Sequence, residues 1–153
     1  MIKVGKKAID FKLKDKDSKV WSLKNIKTKF TVIYFYPKDN TPGCTIEAID
    51  FSKSMEKLKK ASATVIGISG GNEKSKEKFC KKNNLSVLLL SDTDFEVSKK
   101  YGLYGEKKFM GRKYMGIFRT TLILDKNKKI IKIYENVKIL GHTNEVLEFI
   151  KGI

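Results

Sequence analysis

The chain is poor in the residues from which several kinds of functional site are built. Its 153 residues include one histidine, two cysteines, two prolines and, among 33 basic residues, only two arginines, Arg112 and Arg119. Two distant cysteines and the single histidine, His142, do not make a zinc site, and no metal or cofactor is expected. We expect His142 to be an exposed loop residue. Gly70-Gly71 lacks the Gly-x-Gly-x-x-Gly spacing of a nucleotide-binding loop.

Long apolar segments are also absent. No run approaches the roughly 20 apolar residues of a membrane span. Residues 1–13 alternate charges with single apolar residues, so we expect no signal peptide. A soluble cytoplasmic protein is therefore expected, in which two cysteines indicate reactive thiols before a structural bridge. The length predicts a single domain over residues 1–153, without a disulfide or metal needed for folding.

The basic charge comes almost entirely from lysine. The net charge is +16, and the lysines are spread along every segment. Readers of bases and phosphates favour the planar fork of arginine, and the chain has no extended basic and aromatic stretch. We therefore predict a solvated lysine-rich surface and no nucleic-acid partner. A basic nucleic-acid-binding protein remains the alternative from another functional class.

One cysteine lies where a predicted strand gives way to a predicted helix. Residues 30–36 are a run of β-branched and aromatic residues that predicts a buried strand. Further on, apolar residues recur at helical spacing, at Ala48, Phe51, Met55 and Leu58. Cys44 therefore falls in the first turn of a helix that a Thr-Pro-Gly turn opens, where unpaired N–H groups and the helix dipole favour the nucleophilic thiolate. The Pro-Gly turn argues against burial of Cys44.

Thr41, three positions before Cys44, limits the kinds of reaction expected of the thiol. Thioredoxin-like oxidoreductases carry Cys-x-x-Cys at such a junction, whereas here Thr41 replaces the first cysteine. Dithiol exchange within the motif is excluded, which disfavours a disulfide oxidoreductase. A single nucleophile with a hydroxyl beside it suits a small oxygen-containing substrate.

Strands and helices alternate along the chain. Residues 9–13 and 19–23 predict a hairpin, residues 30–36 a strand, residues 44–60 a helix, residues 64–69 a strand, and residues 72–83 a helix capped by Asn72. A strand at 87–90, a short helix at 94–101 and an excursion at 107–114 that returns at Gly116 follow. Residues 120–124 and 130–134 predict a second hairpin, before a terminal helix from about residue 143. This order fits an α/β layer architecture.

The junction resembles the active-site signature of the peroxiredoxins, Pro-x-x-x-Thr-x-x-Cys, which Pro37, Thr41 and Cys44 meet. The chain is most similar to the bacterioferritin comigratory, or Q-type, branch in four further segments, residues 35–39, 47–48, 105–111 and 116–119. Two departures stand out. The Ala-Pro-Asp-Phe usual near the N-terminus is residues 8–11, Ala-Ile-Asp-Phe, and the resolving cysteine that many members carry five residues after the nucleophile is Ile49.

The resemblance implies a thioredoxin-like fold with an N-terminal β-hairpin extension and the activity of a thiol peroxidase. The Cys44 thiolate would attack one oxygen of hydrogen peroxide or an organic hydroperoxide, release water or an alcohol, and become a sulfenic acid. Thioredoxin or a similar dithiol would return the electrons. The resemblance also implies a monomer.

A fast peroxidase needs more than a thiolate. A thiol whose pKa falls from about 8.5 to about 6 gains roughly 30-fold in thiolate at neutral pH but loses about tenfold in nucleophilicity. Groups that align the peroxide and stabilise the departing oxygen must supply the rest, and we assign Thr41, the Cys44 N–H and Arg119 to this task.

Arg119, an arginine in a lysine-rich chain, matches the family's catalytic arginine; a surface residue is the alternative. Pro37 is predicted to shield the thiolate from water, or merely to end the strand.

Cys80 is the candidate for the second redox cysteine. It lies 36 residues after Cys44 on the predicted helix 72–83, where some Q-type members carry their resolving thiol. The alternative is a bystander thiol in a one-cysteine peroxidase that uses an external thiol. In the reduced form we expect the two thiols to lie apart, so that a disulfide requires the first turn around Cys44 to unwind. Glu47 matches the family pattern and is ranked as secondary.

Overall fold

A seven-stranded mixed sheet forms the centre of the structure, a computed structural model that describes residues 2–153. The strands are β1 (Lys12–Lys14), β2 (Val20–Ser22), β3 (Phe30–Phe35), β4 (Ala63–Ser69), β5 (Leu88–Ser91), β6 (Tyr104–Phe109), β7 (Arg112–Ile117), β8 (Thr120–Leu124) and β9 (Ile130–Tyr134). The helices are α1 (Pro42–Lys53), α2 (Met55–Lys60), α3 (Glu73–Asn83), α4 (Glu96–Lys100) and α5 (His142–Lys151), with a 3₁₀ turn at Leu23–Asn25. None of the helices in this part of the chain is both long and apolar enough to cross a membrane.

The strand order brings the two halves of the chain together at β3. The order is β2-β1-β5-β4-β3-β8-β9, in which β3, β4 and β5 run parallel and all other neighbours are antiparallel. Every residue of β3 is buried, as expected for a strand covered on both faces. The carboxyl ends of the parallel strands meet at one edge, the usual place for a site in such a sheet. The predicted strands and both predicted hairpins of this sheet are confirmed.

Alternation along β3 divides the interior into two apolar clusters. Val32 and Tyr34 point to the face covered by α1, α2, α3 and α5, whereas Ile33 and Phe35 point to the face covered by α4 and the N-terminal segment. Tyr34 stacks on Phe51 of α1, with ring centroids 4.8 Å apart. The C-terminal part of α1 is therefore fixed to the central strand.

The predicted helix 44–60 differs from the structure at both its start and its middle. Helix α1 begins two residues earlier, at Pro42, because proline needs no N–H bond in the first helical turn. The helix is interrupted at Ser54, whose backbone leaves the helical conformation with φ −98° and ψ 5°. Helix α2 then brings Leu58, fully buried, into the core.

The excursion predicted at 107–114 is present, and it has regular secondary structure. Strands β6 and β7 form a regular antiparallel hairpin there, apart from the main sheet. Met110 and Gly111 make the two-residue turn with φ of 51° and 79°, both in the left-handed region that such turns require. Methionine is an unusual residue for this position, which is why the sequence pattern concealed the turn.

Lysine is not confined to the surface. Lys76 on α3 is fully buried, and its ammonium lies 3.3 Å from a carboxylate oxygen of Asp39. The predicted solvated surface is therefore wrong for this residue. A buried charge of this kind needs a partner, which Asp39 supplies.

The close approach of β4 to Tyr34 gives a stability prediction. A Cβ at Gly67 would lie 2.6 Å from Cζ of Tyr34 and 2.7 Å from Cδ2 of Leu89. Because Tyr34 is held between β4 and Phe51, Gly67→Ala should lower the free energy of unfolding by roughly 1 to 3 kcal/mol. Gly152→Ala is the control, since its added Cβ meets only ordinary contacts of 3.5 Å or more. Equal urea midpoints for the two variants would contradict the prediction.

Candidate active site

Cys44 lies in the first turn of α1 and is almost completely buried, with 1% of its surface exposed. The expectation that the Pro-Gly turn would keep it exposed is wrong. Pro42 and Gly43 are the first residues of the helix itself; Pro42 is exposed, whereas two distant side chains lie against Gly43. A Cβ at Gly43 would lie 2.9 Å from Cδ1 of Ile139 and 3.4 Å from Nη2 of Arg119. Both contacts come from the C-terminal part of the chain, where Arg119 directly precedes β8 and Ile139 follows β9.

The guanidinium of Arg119 joins two residues of α1. Its Nη2 donates to Cys44 Sγ at 3.2 Å, and its Nη1 donates to Glu47 Oε1 at 2.7 Å. The sheet register explains how a residue so far along the chain reaches this place. Thr120 is paired with Phe35, so Arg119, just before β8, lies beside the end of β3, where the active-site loop begins. The structure therefore brings two of the predicted residues, Cys44 and Arg119, into direct contact.

Arg119 remains a cation in this setting. Its side chain is only 17% exposed. Burial disfavours the charged form, but the charges of Cys44 and Glu47 and their hydrogen bonds outweigh it, and the pKa of Arg119 is raised above its ordinary value. A permanently charged fork therefore faces the thiol.

Glu47 is a central part of the site, not a secondary one. It stands three residues after Cys44, which puts both side chains on the same face of α1. Burial raises the pKa of Glu47 to about 7, although the charge of Arg119 opposes the rise. Oε2 is buried and has no hydrogen-bond partner within residues 2–153. The helical spacing was the available sequence signal, but only the structure shows that the carboxyl is buried.

Thr41 occupies the N-cap position but does not cap the helix with its side chain. Its hydroxyl donates to the carbonyl oxygen of Lys38 at 3.0 Å. The carbonyl of Thr41 instead accepts the N–H and the hydroxyl of Thr45, at 2.9 and 2.7 Å. A helix gives its first N–H groups no internal partner, so those of Gly43 and Cys44 are available to a ligand. The oxygen of the Thr41 hydroxyl is left as an acceptor.

A cleft of about 600 Å³ borders the loop that precedes α1. Pro37, directly after β3, lines it together with Thr41 and is half-buried. The opposite wall comes from Phe95 and from Tyr114 and Met115 of the β6–β7 hairpin. Pro37 therefore lies at the wall of the cleft, directly after the buried end of β3.

Cys80 lies on α3, as predicted, and is buried at 6% exposure. It contributes to the same apolar cluster as Cys44, and both are free thiols. Burial raises the pKa of the Cys80 thiol. Of its charged neighbours, Lys16 and Lys76 act against the rise, whereas Asp39 and Asp17 add to it. The structure thus holds Cys80 as a protonated, buried thiol on a helix separate from that of Cys44.

His142 is not the exposed loop residue that its sequence context predicted. It is the first residue of α5 and is buried, with its ring edge-on to Phe51 and Tyr134. Burial lowers its pKa despite the opposing influence of Glu145. A neutral ring satisfies both contacts, because Nδ1 can donate to Glu145 at 3.0 Å while Nε2 accepts from Thr121 at 2.8 Å.

Across residues 2–153, no group of three or more His, Cys, Asp or Glu side chains is placed to hold a metal ion.

The chain is similar to known proteins in sequence and in fold. Residues 4–133 match the sequence profile of the AhpC/TSA family. Peroxiredoxin Bcp of Bacillus subtilis is 40% identical over 152 residues, which cover 99% of this chain and 97% of the relative. A Helicobacter pylori protein described as putative peroxiredoxin bcp is 44% identical over 147 residues, covering 96% and 97% of the two chains. The solved structure of Xanthomonas campestris peroxiredoxin Q has a TM-score of 0.86 and 33% identity, and the match covers 93% of this chain and 90% of that one.

The buried carboxyl of Glu47 predicts a pH-dependent stability. Its pKa is about 7 in the folded state against 4.5 as its ordinary value, so between these values the folded state binds more protons than the unfolded state. The contribution of Glu47 to the free energy of unfolding therefore falls by roughly 2 to 3 kcal/mol as pH rises from about 4.5 through about 7. Glu47→Gln keeps an acceptor for Arg119 but cannot titrate.

Urea unfolding of wild type and Glu47→Gln at pH 5 and pH 8 measures this difference. The variant should gain stability relative to wild type at the higher pH. Glu77→Gln, at an exposed position of α3, is the control. A difference between wild type and Glu47→Gln that is the same at both pH values would contradict the prediction.

Proposed function

Because the chain belongs to the AhpC/TSA family and is a peroxiredoxin of the bacterioferritin comigratory, or Q, type, we propose how the residues around Cys44 carry out its reaction. The protein is a thiol-dependent peroxidase with a thioredoxin-like fold, which reduces a hydroperoxide with electrons from a thiol reductant. The observation that carries the proposal is the 3.2 Å contact between Arg119 Nη2 and Cys44 Sγ.

Cys44 is the peroxidatic nucleophile. Its thiolate attacks one oxygen of the hydroperoxide, the O–O bond breaks, and the other oxygen leaves with a proton as water or an alcohol. The sulfur loses two electrons and becomes a sulfenic acid, while the hydroperoxide gains the same two electrons. The cation of Arg119 faces the sulfur directly, with Nη2 donating to Sγ at 3.2 Å.

Arg119, Thr41 and two backbone N–H groups align the substrate. The Arg119 cation and the N–H groups of Gly43 and Cys44 donate to the peroxide oxygens, on which negative charge grows as the O–O bond breaks. Thr41 donates to Lys38, so its oxygen accepts the hydroxyl hydrogen of the substrate. These contacts set the attack in line and supply the acceleration that ionisation of the thiol alone does not.

Glu47 acts as a positioning residue. By accepting from Nη1 of Arg119, it fixes the rotation of the guanidinium so that Nη2 points at the sulfur. A lysine in place of Arg119 could not make both contacts in this fixed geometry. To hold the guanidinium of Arg119 in this orientation, the carboxyl of Glu47 must itself be buried.

The cleft beside Pro37 is the entrance for substrate, and Pro37 limits the access of water to the sulfur. Hydrogen peroxide and organic hydroperoxides are both proposed substrates. Tyr114 and Met115 give the cleft an apolar wall that suits an organic substituent. A structure of the Xanthomonas bacterioferritin comigratory protein concerns the reduction of alkyl peroxides.

Cys80 resolves the sulfenic acid. Its thiol displaces the hydroxyl of oxidised Cys44, so that an intramolecular disulfide forms and one water is released. The Xanthomonas protein has been solved as two cysteine-to-serine variants, at positions with the same sequence separation as Cys44 and Cys80. Thioredoxin or a similar dithiol then reduces the disulfide by supplying two electrons and two protons. A cytoplasmic location and a monomeric state complete the proposal.

Two matched variants separate the roles of the cysteines. Cys44→Ser should consume no peroxide, because a serine hydroxyl is scarcely ionised at neutral pH. Cys80→Ser should consume one equivalent but fail to turn over with thioredoxin as reductant. Peroxide consumption is measured first with the enzyme alone and then with the complete reducing system. Turnover of Cys80→Ser at the wild-type rate would replace the two-cysteine mechanism by the one-cysteine alternative.

Arg119→Lys tests the guanidinium. Lysine keeps the charge but loses the planar fork that reaches both the sulfur and Glu47. The rate of Cys44 oxidation should fall at least about tenfold, which corresponds to about 1.4 kcal/mol of transition-state stabilisation. Stopped-flow oxidation with limiting peroxide measures it. Arg112→Lys, on the exposed hairpin, is the control and should oxidise at the wild-type rate.

A further inference from the structure

A buried ion pair connects the loop before Cys44 to the helix that carries Cys80. Lys76 Nζ lies 3.3 Å from Asp39 Oδ2, and the two side chains are 0% and 3% exposed. Three hydroxyls donate to the same carboxylate, those of Tyr36 at 2.6 Å, Ser75 at 2.6 Å and Ser69 at 3.3 Å. We call this set of five residues the Asp39 clasp.

The Asp39 clasp is closely fitted to the backbone around it. Lys76 also donates to Ser69 Oγ at 2.7 Å and to the carbonyl oxygen of Gly71 at 3.2 Å. A Cβ at Gly71 would lie 2.0 Å from Asp39 Oδ2 and 2.8 Å from Ser75 Oγ. Glycine at this position therefore permits the carboxylate to reach the helix.

The clasp joins the two segments that the proposed disulfide would have to bring together, the loop before Cys44 and helix α3. Tyr36, directly after β3, and Ser69, at the end of β4, complete it. Asp39 stands between Pro37 and Thr41, in the loop that leads to Cys44. Ser75 and Lys76 belong to the first turns of α3, and Lys76 precedes Cys80 by one helical turn. Separation of the loop from α3 breaks every contact between Asp39 and the helix.

Stability alone gives a poor reason for the Asp39 clasp. Removing two charges from water is costly, and an apolar pair of similar volume often serves a protein core at least as well. Once the pair is present, however, removal of one partner leaves a buried charge without compensation. The clasp is therefore a contact that resists opening and that, when opened, lets both charged groups reach water.

We propose that Asp39 and Lys76 are positioning residues for the resolving step, which hold the active-site loop against α3 and limit the rate at which Cys44 and Cys80 meet. The inference rests on the proposed Cys44–Cys80 disulfide. With the clasp closed, the loop keeps Cys44 in the geometry that reacts with peroxide. With the clasp open, the loop is no longer fixed to α3 and the first turn of α1 is free to unwind, so that the sulfenic acid becomes accessible to Cys80.

The charges around Cys80 favour the same sequence of events. In the closed state Asp39 raises the pKa of the Cys80 thiol, while Lys76 acts in the opposite direction. Departure of the loop removes Asp39 but leaves Lys76 on the same helix as Cys80. Lys16 and Asp17, from the β1–β2 turn, are the other charged groups that influence this thiol. Opening therefore shifts the balance toward the thiolate that attacks the sulfenic acid.

Single-turnover kinetics of Lys76→Met test the inference. The oxidation of Cys44 and the later formation of the disulfide are measured as separate phases, and their ratio is the readout. Disulfide formation should be at least about tenfold faster relative to oxidation than in wild type, because loss of one partner of a buried pair weakens the closed state strongly. Half-maximal overoxidation of Cys44 to sulfinic acid should then need a higher peroxide concentration.

Three further variants make the result specific. Lys78→Met, at an exposed position of the same helix, should behave as wild type. Gly71→Ala crowds the clasp without changing any charge and should act in the same direction as Lys76→Met, which keeps the test valid if the latter does not fold. Asp39→Asn combined with Lys76→Met should have no larger an effect than Lys76→Met alone, since the second change removes the buried charge that the first leaves unpaired.

An unchanged ratio in folded Lys76→Met and Gly71→Ala would overturn the inference, as would slower disulfide formation. These outcomes differ from failure of the proposed function. In that case the wild-type enzyme itself would form no Cys44–Cys80 disulfide after oxidation.

Discussion

The placement of one buried guanidinium against one buried thiol is the constraint on which the rest of the site depends. Arg119 and Cys44 are 75 residues apart in sequence, and their contact requires that β8 pair with β3 in the observed register. A shift of the register by one residue would turn Arg119 to the other face of the sheet. Glu47 then fixes the guanidinium from the same helix that carries the thiol. The mixed sheet thus assembles a charged site that no local segment could form.

Two buried ionic contacts hold the active-site segment from opposite ends. The pair of Arg119 and Glu47 secures the first turns of α1, and the pair of Lys76 and Asp39 secures the loop before it. This arrangement meets two requirements that conflict. In the proposed reaction, attack on peroxide needs Cys44 fixed and shielded, whereas the proposed disulfide with Cys80 needs the same segment released. Ionic contacts that are stable when closed and readily hydrated when open serve both requirements.

Much of this architecture could be predicted from sequence because it depends on local patterns. The strand before the loop, the position of Cys44 in the first turn of a helix, and the Asn72 cap of α3 follow from residue type and spacing, and the structure agrees. Burial could not be predicted in the same way. Cys44 is covered by Ile139 and Arg119, and Lys76 is enclosed by a loop from another part of the chain. These are tertiary contacts between distant segments, which the hydrophobic periodicity of one segment does not predict.

In the proposed reaction, Cys44 reacts with peroxide and Cys80 then forms the disulfide within one chain. Peptide mapping by mass spectrometry after treatment with one equivalent of peroxide is the decisive measurement. The expected product is a chain lighter by two hydrogens, with the Cys44 and Cys80 peptides joined by a disulfide and no remaining free thiol. An oxidised Cys44 peptide together with a free thiol at Cys80 would contradict it.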